Sequence, residues 1–317
     1  MSPVLHGPEE DNRHRGAGGE VHQEIQEIQH RRDQVIGGQA VIEGVMFRSA
    51  RSLVVAVRTP GGEISVRGER IRPLRHRFPP LRKPFLRGIA VLIESIHLGT
   101  KALIASAEEA SGGEAKGGSG SIALALLMSA LLGVGLFIAL PAFLAGKLAQ
   151  GGWTFNLLDG LIRLAIFLAY IAFISTMPDI RRVFQYHGAE HKSINAYEAG
   201  DELTEERVMG YSTLHPRCGT SFILTVLVLS ILIFSLAGRP ESMAVRIGSR
   251  LALIPVVAGL SYEIIGFASK HRGNKLVDLA VAPGLLLQRL TTREPSRDQV
   301  RVALAALKEL LSMEGER

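Results

Sequence analysis

The stretch Tyr186-His187-Gly188-Ala189-Glu190-His191-Lys192 sets two imidazoles and a carboxylate in a His-x-x-Glu-His arrangement, the spacing of the inverted zincin signature. On an α-helix, residues three and four apart share a face. His187 and His191 can therefore grip one ion while Glu190 acts as general base toward water. Asp179, after Pro178, is placed to cap such a helix and Gly200 to end it. Further along comes His215-Pro216-Arg217-Cys218-Gly219. His187, His191, His215 and Cys218 together have the donor chemistry of a tetrahedral zinc site. A closed shell of four is structural, whereas three ligands and an open position are catalytic, and spacing alone does not choose. Glu263 is a further candidate ligand, because a carboxylate roughly 8 Å inside hydrocarbon, at ~1.5 Å per residue, needs a partner or a proton. The bland alternatives are solvated loop histidines, a His215 that merely ends its segment before Pro216, and a Glu263 bonded to neighbouring helices.

The elements that must position these residues belong to a membrane protein. Of the 317 residues, 47% are hydrophobic and only 6% aromatic, and the apolar content is gathered into Leu/Ile/Ala/Val blocks. Four segments have the ~20 mostly apolar residues a crossing helix needs: Ile122 to Leu144, Leu157 to Met177, Thr220 to Leu236 and Leu251 to Ala268. Phe85 to Ala107 carries Arg87, Glu94, His97 and Lys101 but keeps Ile89, Leu92, Ile93, Ile96 and Leu103 on roughly one face, which predicts an amphipathic interfacial helix. Leu276 to Leu290 is short and broken at Pro283-Gly284, which predicts a re-entrant or interfacial hairpin. Arg163, inside the second span, is expected to snorkel toward the outer interface.

The fold class expected is thus mainly α: about four transmembrane helices, an amphipathic helix, a small N-terminal β unit and a C-terminal cytoplasmic helix. Residues 1–34 form a polar tail with no apolar run, expected to be disordered and not a secretory signal. Residues 35–110 hold the amphipathic helix and the β unit, with Leu53 to Arg58, a Pro60-Gly61-Gly62 turn and alternation from Glu63 to Arg67. A Gly/Ser linker follows at 111–121, spans one and two at 122–177, and the His-x-x-Glu-His loop at 178–218. Spans three and four occupy 219–269, and 270–317 carries the interfacial segment and a helix opened by Ser296 and Gln299 as a capping box. Basic residues crowd before the first span (Arg67 to Lys101) and in the second-to-third loop, but the first-to-second loop has only Lys147. Both termini are therefore expected in the cytoplasm, the membrane being the cell's inner (plasma) membrane. The third-to-fourth loop, with Arg239, Arg246 and Arg250, fits this rule least well. A lone cysteine, Cys218, excludes an intramolecular disulfide and suits a reducing compartment. The basic run Arg70 to Arg87 either attracts anionic lipid or only sets topology.

Four separated segments resemble the YqhQ family of bacterial membrane proteins: Gly37 to Met46, Tyr186 to Ser193, His215 to Thr220 and Leu287 to Pro295. The resemblance covers about residues 34 to 312. It implies the family's frequent label, predicted metal-dependent enzyme, and points to Gln39 and Glu43 in the first motif. In the second it points to His187, Glu190 and His191, and in the third to His215, Arg217 and Cys218.

Two functions compete on these grounds. One is a metal-dependent enzyme, hydrolase-like, working with a divalent metal (zinc by its donors) at the cytoplasmic membrane boundary. The other is a non-enzymatic scaffold or assembly factor that recruits cytoplasmic protein partners, its metal structural or absent. Transport is weaker, since spans one and three offer few polar residues for a pathway. The bilayer is the expected partner, and nucleic acid is not.

Overall fold

The computed structural model describes residues 36–113, 119–149, 151–236, 242–271 and 274–315. The expected tail at 1–34 and the centre of the Gly/Ser linker, 114–118, lie outside them.

Period-two alternation builds the first unit. Strands β1 (Gly37–Val41), β2 (Gly44–Arg48), β3 (Ser52–Arg58) and β4 (Ile64–Arg70) form an antiparallel meander in sequential order. Val45, Phe47, Val54 and Ala56 point to one face, and Val41, Met46, Leu53 and Val57 to the other. Each apolar face needs a cover. The β3–β4 turn falls at the expected Pro60-Gly61-Gly62, with Gly62 at φ +86°. The β1–β2 turn is less comfortable, because Glu43, which has a Cβ, sits at φ +52°, a conformation costing about 1–2 kcal/mol. Its carboxylate accepts from Arg182 and, at 3.3 Å, from the Tyr186 hydroxyl, so tertiary bonds hold the strained turn.

After a single helical turn, α1 (Leu74–Arg77), helix α2 (Leu86–Ala110) covers the second sheet face with Leu98 and Ala102. Next come α3 (Ser119–Val134), a π-type turn at Gly135–Ala139 just ahead of Pro141, α4 (Leu140–Leu148) and α5 (Gly152–Ile174). The chain continues through α6 (Pro178–Ala199), α7 (Glu205–Met209), α8 (Gly219–Leu236), α9 (Met243–Lys270), α10 (Lys275–Thr291) and α11 (Arg297–Gly315). Helix α11 covers the first sheet face with Val300, Ala303, Leu304, Leu307 and Leu310, and α6 completes that core with Tyr186, Ala189, Ile194 and Tyr197. The capping box forms as expected: the Ser296 N–H donates to Gln299 Oε1 at 2.9 Å and the Gln299 N–H to Ser296 Oγ at 3.3 Å.

Five helical stretches among the described residues are long and apolar enough to cross a membrane: Leu86–Ala110, Ala123–Leu148, Gly152–Ile174, Gly219–Leu236 and Met243–Ala268. Four coincide with the expected spans. The fifth is α2, several of whose charged groups find partners. Lys101 pairs with Glu69 at 2.7 Å, Arg87 pairs with Glu263, and Glu94 accepts the Leu74 N–H.

Two expectations need correction. Leu276 to Leu290 is one helix, not a hairpin, with Pro283 inside it. Gly284 lets that helix lie against Ser221, where a Cβ would meet the Ser221 hydroxyl at 2.8 Å, so α10 packs on α8 without a break. Arg163 does not snorkel. It is buried, donating to Asp159 Oδ2 at 2.7 Å and Ser230 Oγ at 3.3 Å, while Arg250 of α9 donates to Asp159 Oδ1 at 2.9 Å.

Candidate metal centre

Helix α6 carries the His-x-x-Glu-His face. Pro178 occupies its first position, where the missing N–H costs nothing, and Asp179 lies in the first turn instead of capping it. Gly200 ends the helix in the left-handed region at φ +75°. From Tyr186 onward most of α6 is buried, and two neighbours approach it closely. Gly188 faces the Arg293 carbonyl, where a Cβ would collide with backbone. Gly38 of β1 faces Glu190, where a Cβ would meet the Glu190 Cγ at 2.6 Å. The first family motif thus passes under the second, and glycine is what the close approach demands.

His187 Nδ1 lies 2.8 Å from the Thr291 carbonyl and His191 Nδ1 2.5 Å from the Thr213 carbonyl. Carbonyl oxygens only accept, so each Nδ1 carries the proton and each Nε2 of the neutral ring presents a lone pair. This is how proteins orient metal-ligating histidines. The His187 Nε2 stands 3.2 Å from Cys218 Sγ. The His191 Nε2 is buried with no hydrogen-bond partner among the described residues. Such an orphan calls for an explanation, and here it faces two other donors, since ligand atoms of His187, His191 and Cys218 all lie within 4.8 Å of one another. The imidazole centroids of His187 and His191 are 4.4 Å apart.

Glu190 Oε2 lies 3.8 Å from the His187 Nε2 and 4.0 Å from the His191 Nε2. Burial pushes its carboxyl up to about 7, with the neighbouring His187 pulling the other way. Two nitrogen donors and one sulfur suit zinc, and the orphaned nitrogen, the polarity of the second shell and the adjoining carboxyl all fit a divalent ion.

His215 and Glu263 are not part of this cluster. The His215 Nε2 is 3.2 Å from Glu198 Oε1, a carboxylate shared with Arg217. Burial lowers the His215 pKa and so keeps its ring neutral, against the opposing pull of Glu198. Burial opposes ionisation of Glu198, but His215 and Arg217 hold its carboxyl below the usual value. Glu263 accepts from Arg87 and from the Phe85 N–H at 3.0 Å, so its partner is a guanidinium and not an ion. Of the other family-motif positions, Gln39 lies against Gly99 of α2 and Glu43 ties the sheet to α6.

Three groups around the site escaped the sequence reading. Gln288 of α10 clamps the segment that delivers Cys218: its Oε1 accepts the His215 N–H at 2.8 Å, and its Nε2 donates to the His215 carbonyl at 2.7 Å and to Ser221 Oγ at 2.8 Å. Lys192 donates to the Met209 and Tyr211 carbonyls, both at 2.7 Å, and Asn195 to the Ser212 carbonyl at 2.9 Å. Together these hold the loop that presents the Thr213 carbonyl to His191. The only signal in the sequence was polarity out of place, a Gln in an apolar run and a Lys beside the motif.

Comparisons with known proteins agree with the family resemblance. A family model described as "Protein of unknown function (DUF1385)" matches residues 83–313. The chain is 39% identical over 307 residues to "Uncharacterized protein YqhQ" of Bacillus subtilis (strain 168), covering 90% of this chain and 95% of that relative. No solved structure matches significantly.

Proposed function

The chain belongs to the YqhQ family (DUF1385), and from that premise we propose that it is a multi-pass plasma-membrane protein with a metal-dependent, hydrolase-like site at the cytoplasmic boundary. His187, His191 and Cys218 hold one divalent ion, zinc by its donors, and Glu190 transfers the proton. The ion supplies Lewis acidity where the substrate's reacting oxygen binds. The thiolate and the two proton-fixed imidazoles orient it, and Glu190, set above Gly38, lies within reach of a water beside both Nε2 atoms.

One observation carries the catalytic reading over a purely structural metal. The ligand atoms gathered within 4.8 Å of one another among the described residues belong to His187, His191 and Cys218 and not to His215, the donor that would close the shell. Three protein ligands leave a position open. The orientation rests on the crowding of basic residues at the polar end and on a lone thiol kept reduced.

Elemental analysis of the purified protein beside a His187→Ala/His191→Ala variant tests the site. About one zinc per chain in the first and none in the second is expected, and equal content in the two removes the basis for the reading. X-ray absorption should show one sulfur, two imidazoles and a lighter fourth donor that is not imidazole. A third imidazole would close the shell and transfer the protein to the scaffold class.

A further inference from the structure

The site opens into two clefts that meet at its cysteine. The first, about 530 Å³, holds His187, Glu190 and Cys218. The second, about 670 Å³, runs between α2 and α9 past Val91, Tyr262, Ile265 and Phe267. They share Leu92, Ser95, Arg217, Cys218, Gly219 and Phe222 as common wall. The metal centre is therefore continuous with a mainly apolar channel, lined also by Arg87, Glu263 and Lys270, between two helices long and apolar enough to cross a membrane.

The cations of these clefts are not equivalent. Arg217 is neutralised by Glu198 and Arg87 by Glu263, and Lys270, which also lines the second cleft, is exposed to solvent. Arg48, half-buried at the end of β2, lines the first cleft with no ion-pair partner among the described residues. The carboxylate acting on it most strongly, Glu94, is committed to the Leu74 N–H. Burial lowers the pKa of Arg48 with Glu94 only partly opposing, as expected of a charge left short of a counter-charge. An arginine stays protonated regardless, so a half-buried one with no ion-paired carboxylate among the described residues is an anion receptor in waiting.

We propose that this cleft takes a membrane-derived anionic amphiphile, with its phosphate or carboxylate headgroup on Arg48 beside the metal centre and its hydrocarbon chain in the channel between α2 and α9. The proposal rests on the reading of the site above for what is done to that substrate, but not for its binding. Arg48 is the specificity-determining cation, Val91, Ile265 and Phe267 accept the chain, and Cys218 lies where the two parts of the ligand meet.

The test uses full-length protein, stripped with EDTA and reconstituted in phosphatidylcholine nanodiscs, so that its outcome is independent of any metal. Binding of radiolabelled dodecyl phosphate is measured directly, and occupancy of the cleft is read from alkylation of Cys218, the single thiol, by N-ethylmaleimide. Dodecyl phosphate should bind saturably and slow alkylation, with Arg48→Gln weakening it about ten- to a hundredfold, the loss of one charged hydrogen-bonding group. Arg48→Lys should recover part of the affinity. Inorganic phosphate and uncharged dodecanol should neither compete nor protect. Competition by inorganic phosphate as strong as by dodecyl phosphate would overturn the amphiphile, as would equal binding of dodecanol. Unchanged affinity in Arg48→Gln would overturn the receptor. Failure of zinc binding would leave these results standing and sink only the metal reading.

Discussion

The carboxylate of Asp159 serves two guanidiniums in a dry setting, and its removal gives a sharp test of how the helix bundle is held. Asp159 is 1% exposed, and Arg163 and Arg250 are 6% and 4% exposed. The 2.7 Å bond to Arg163 lies within α5, and the 2.9 Å bond to Arg250 ties α5 to α9, while the Phe234 ring of α8 lies 5.1 Å below Arg163 and 5.6 Å below Arg250. Breaking a buried pair by deleting one partner costs about 3–5 kcal/mol, because the other charge is stranded. Asp159→Ala strands two, so its expected cost is at the top of that range, about 5 kcal/mol. Asp159→Asn keeps one acceptor oxygen and with it about 1.5–3 kcal/mol of charged hydrogen bonding, leaving a loss of roughly 2–3 kcal/mol. Replacing all three residues by leucine removes the stranded charges along with the attraction, and such swaps run from neutral to stabilising. The triple variant is therefore expected to be more stable than Asp159→Ala, close to the parent. Reversible unfolding in bicelles by steric trapping measures each step. A triple variant as unstable as Asp159→Ala, or an Asp159→Ala loss under about 1 kcal/mol, would refute this account of the cluster.

Two further outcomes follow from the site. Structural zinc sites bind with roughly 10–16 kcal/mol over four donors, about 2.5–4 kcal/mol for each, so His191→Ala should weaken zinc about a hundred- to a thousandfold. His215→Ala should stay within about tenfold of the parent, because His215 lies outside the group of converging ligand atoms; competition against a chromophoric chelator reads both, and equal losses would put His215 in the shell. Gly188→Ala removes a helix-interior glycine, worth about 1 kcal/mol in favour of alanine, but it drives a methyl into the Arg293 carbonyl. The clash should dominate, destabilising the protein by about 1–3 kcal/mol, and a raised melting temperature in thermal unfolding would contradict the packing described.

The long apolar blocks and the His-x-x-Glu-His face were readable because hydrophobic length and helical periodicity are local properties. So were the β3–β4 turn, with its Pro60-Gly61-Gly62, and the Ser296/Gln299 capping box. What the residues alone did not reveal depends on partners far away in the chain. Arg163 looks like a snorkelling residue until Asp159, one turn earlier, and Arg250, 87 positions later, are seen to converge. Pro283-Gly284 looks like a break until Ser221 is found in the gap the glycine leaves. His215 carries a ligand's chemistry, but its ring pairs with Glu198 near the end of α6 and it lies outside the converging group of His187, His191 and Cys218. Glu263 was correctly read as needing a partner, but sequence could not tell a metal from Arg87.

On the proposed reading, the candidate ligand set links the ion to the architecture of the fold. His187 and His191 belong to a helix built into the sheet core, whereas Cys218 precedes the first turn of α8, which packs against α5, α9 and α10. The carbonyl orienting His187 comes from the end of α10, and the clamp on His215 comes from Gln288 of that helix. An ion at this point is bonded to both halves of the molecule, so its affinity must depend on how the sheet unit is docked on the bundle. By linkage, a ligand in the cleft that alters that docking alters the affinity for the ion by the same factor. A site intended only to pin a loop would gain nothing from lying at the mouth of a channel with an unpaired arginine in its wall. Its position makes sense if the docking of the two halves is what a bound amphiphile adjusts.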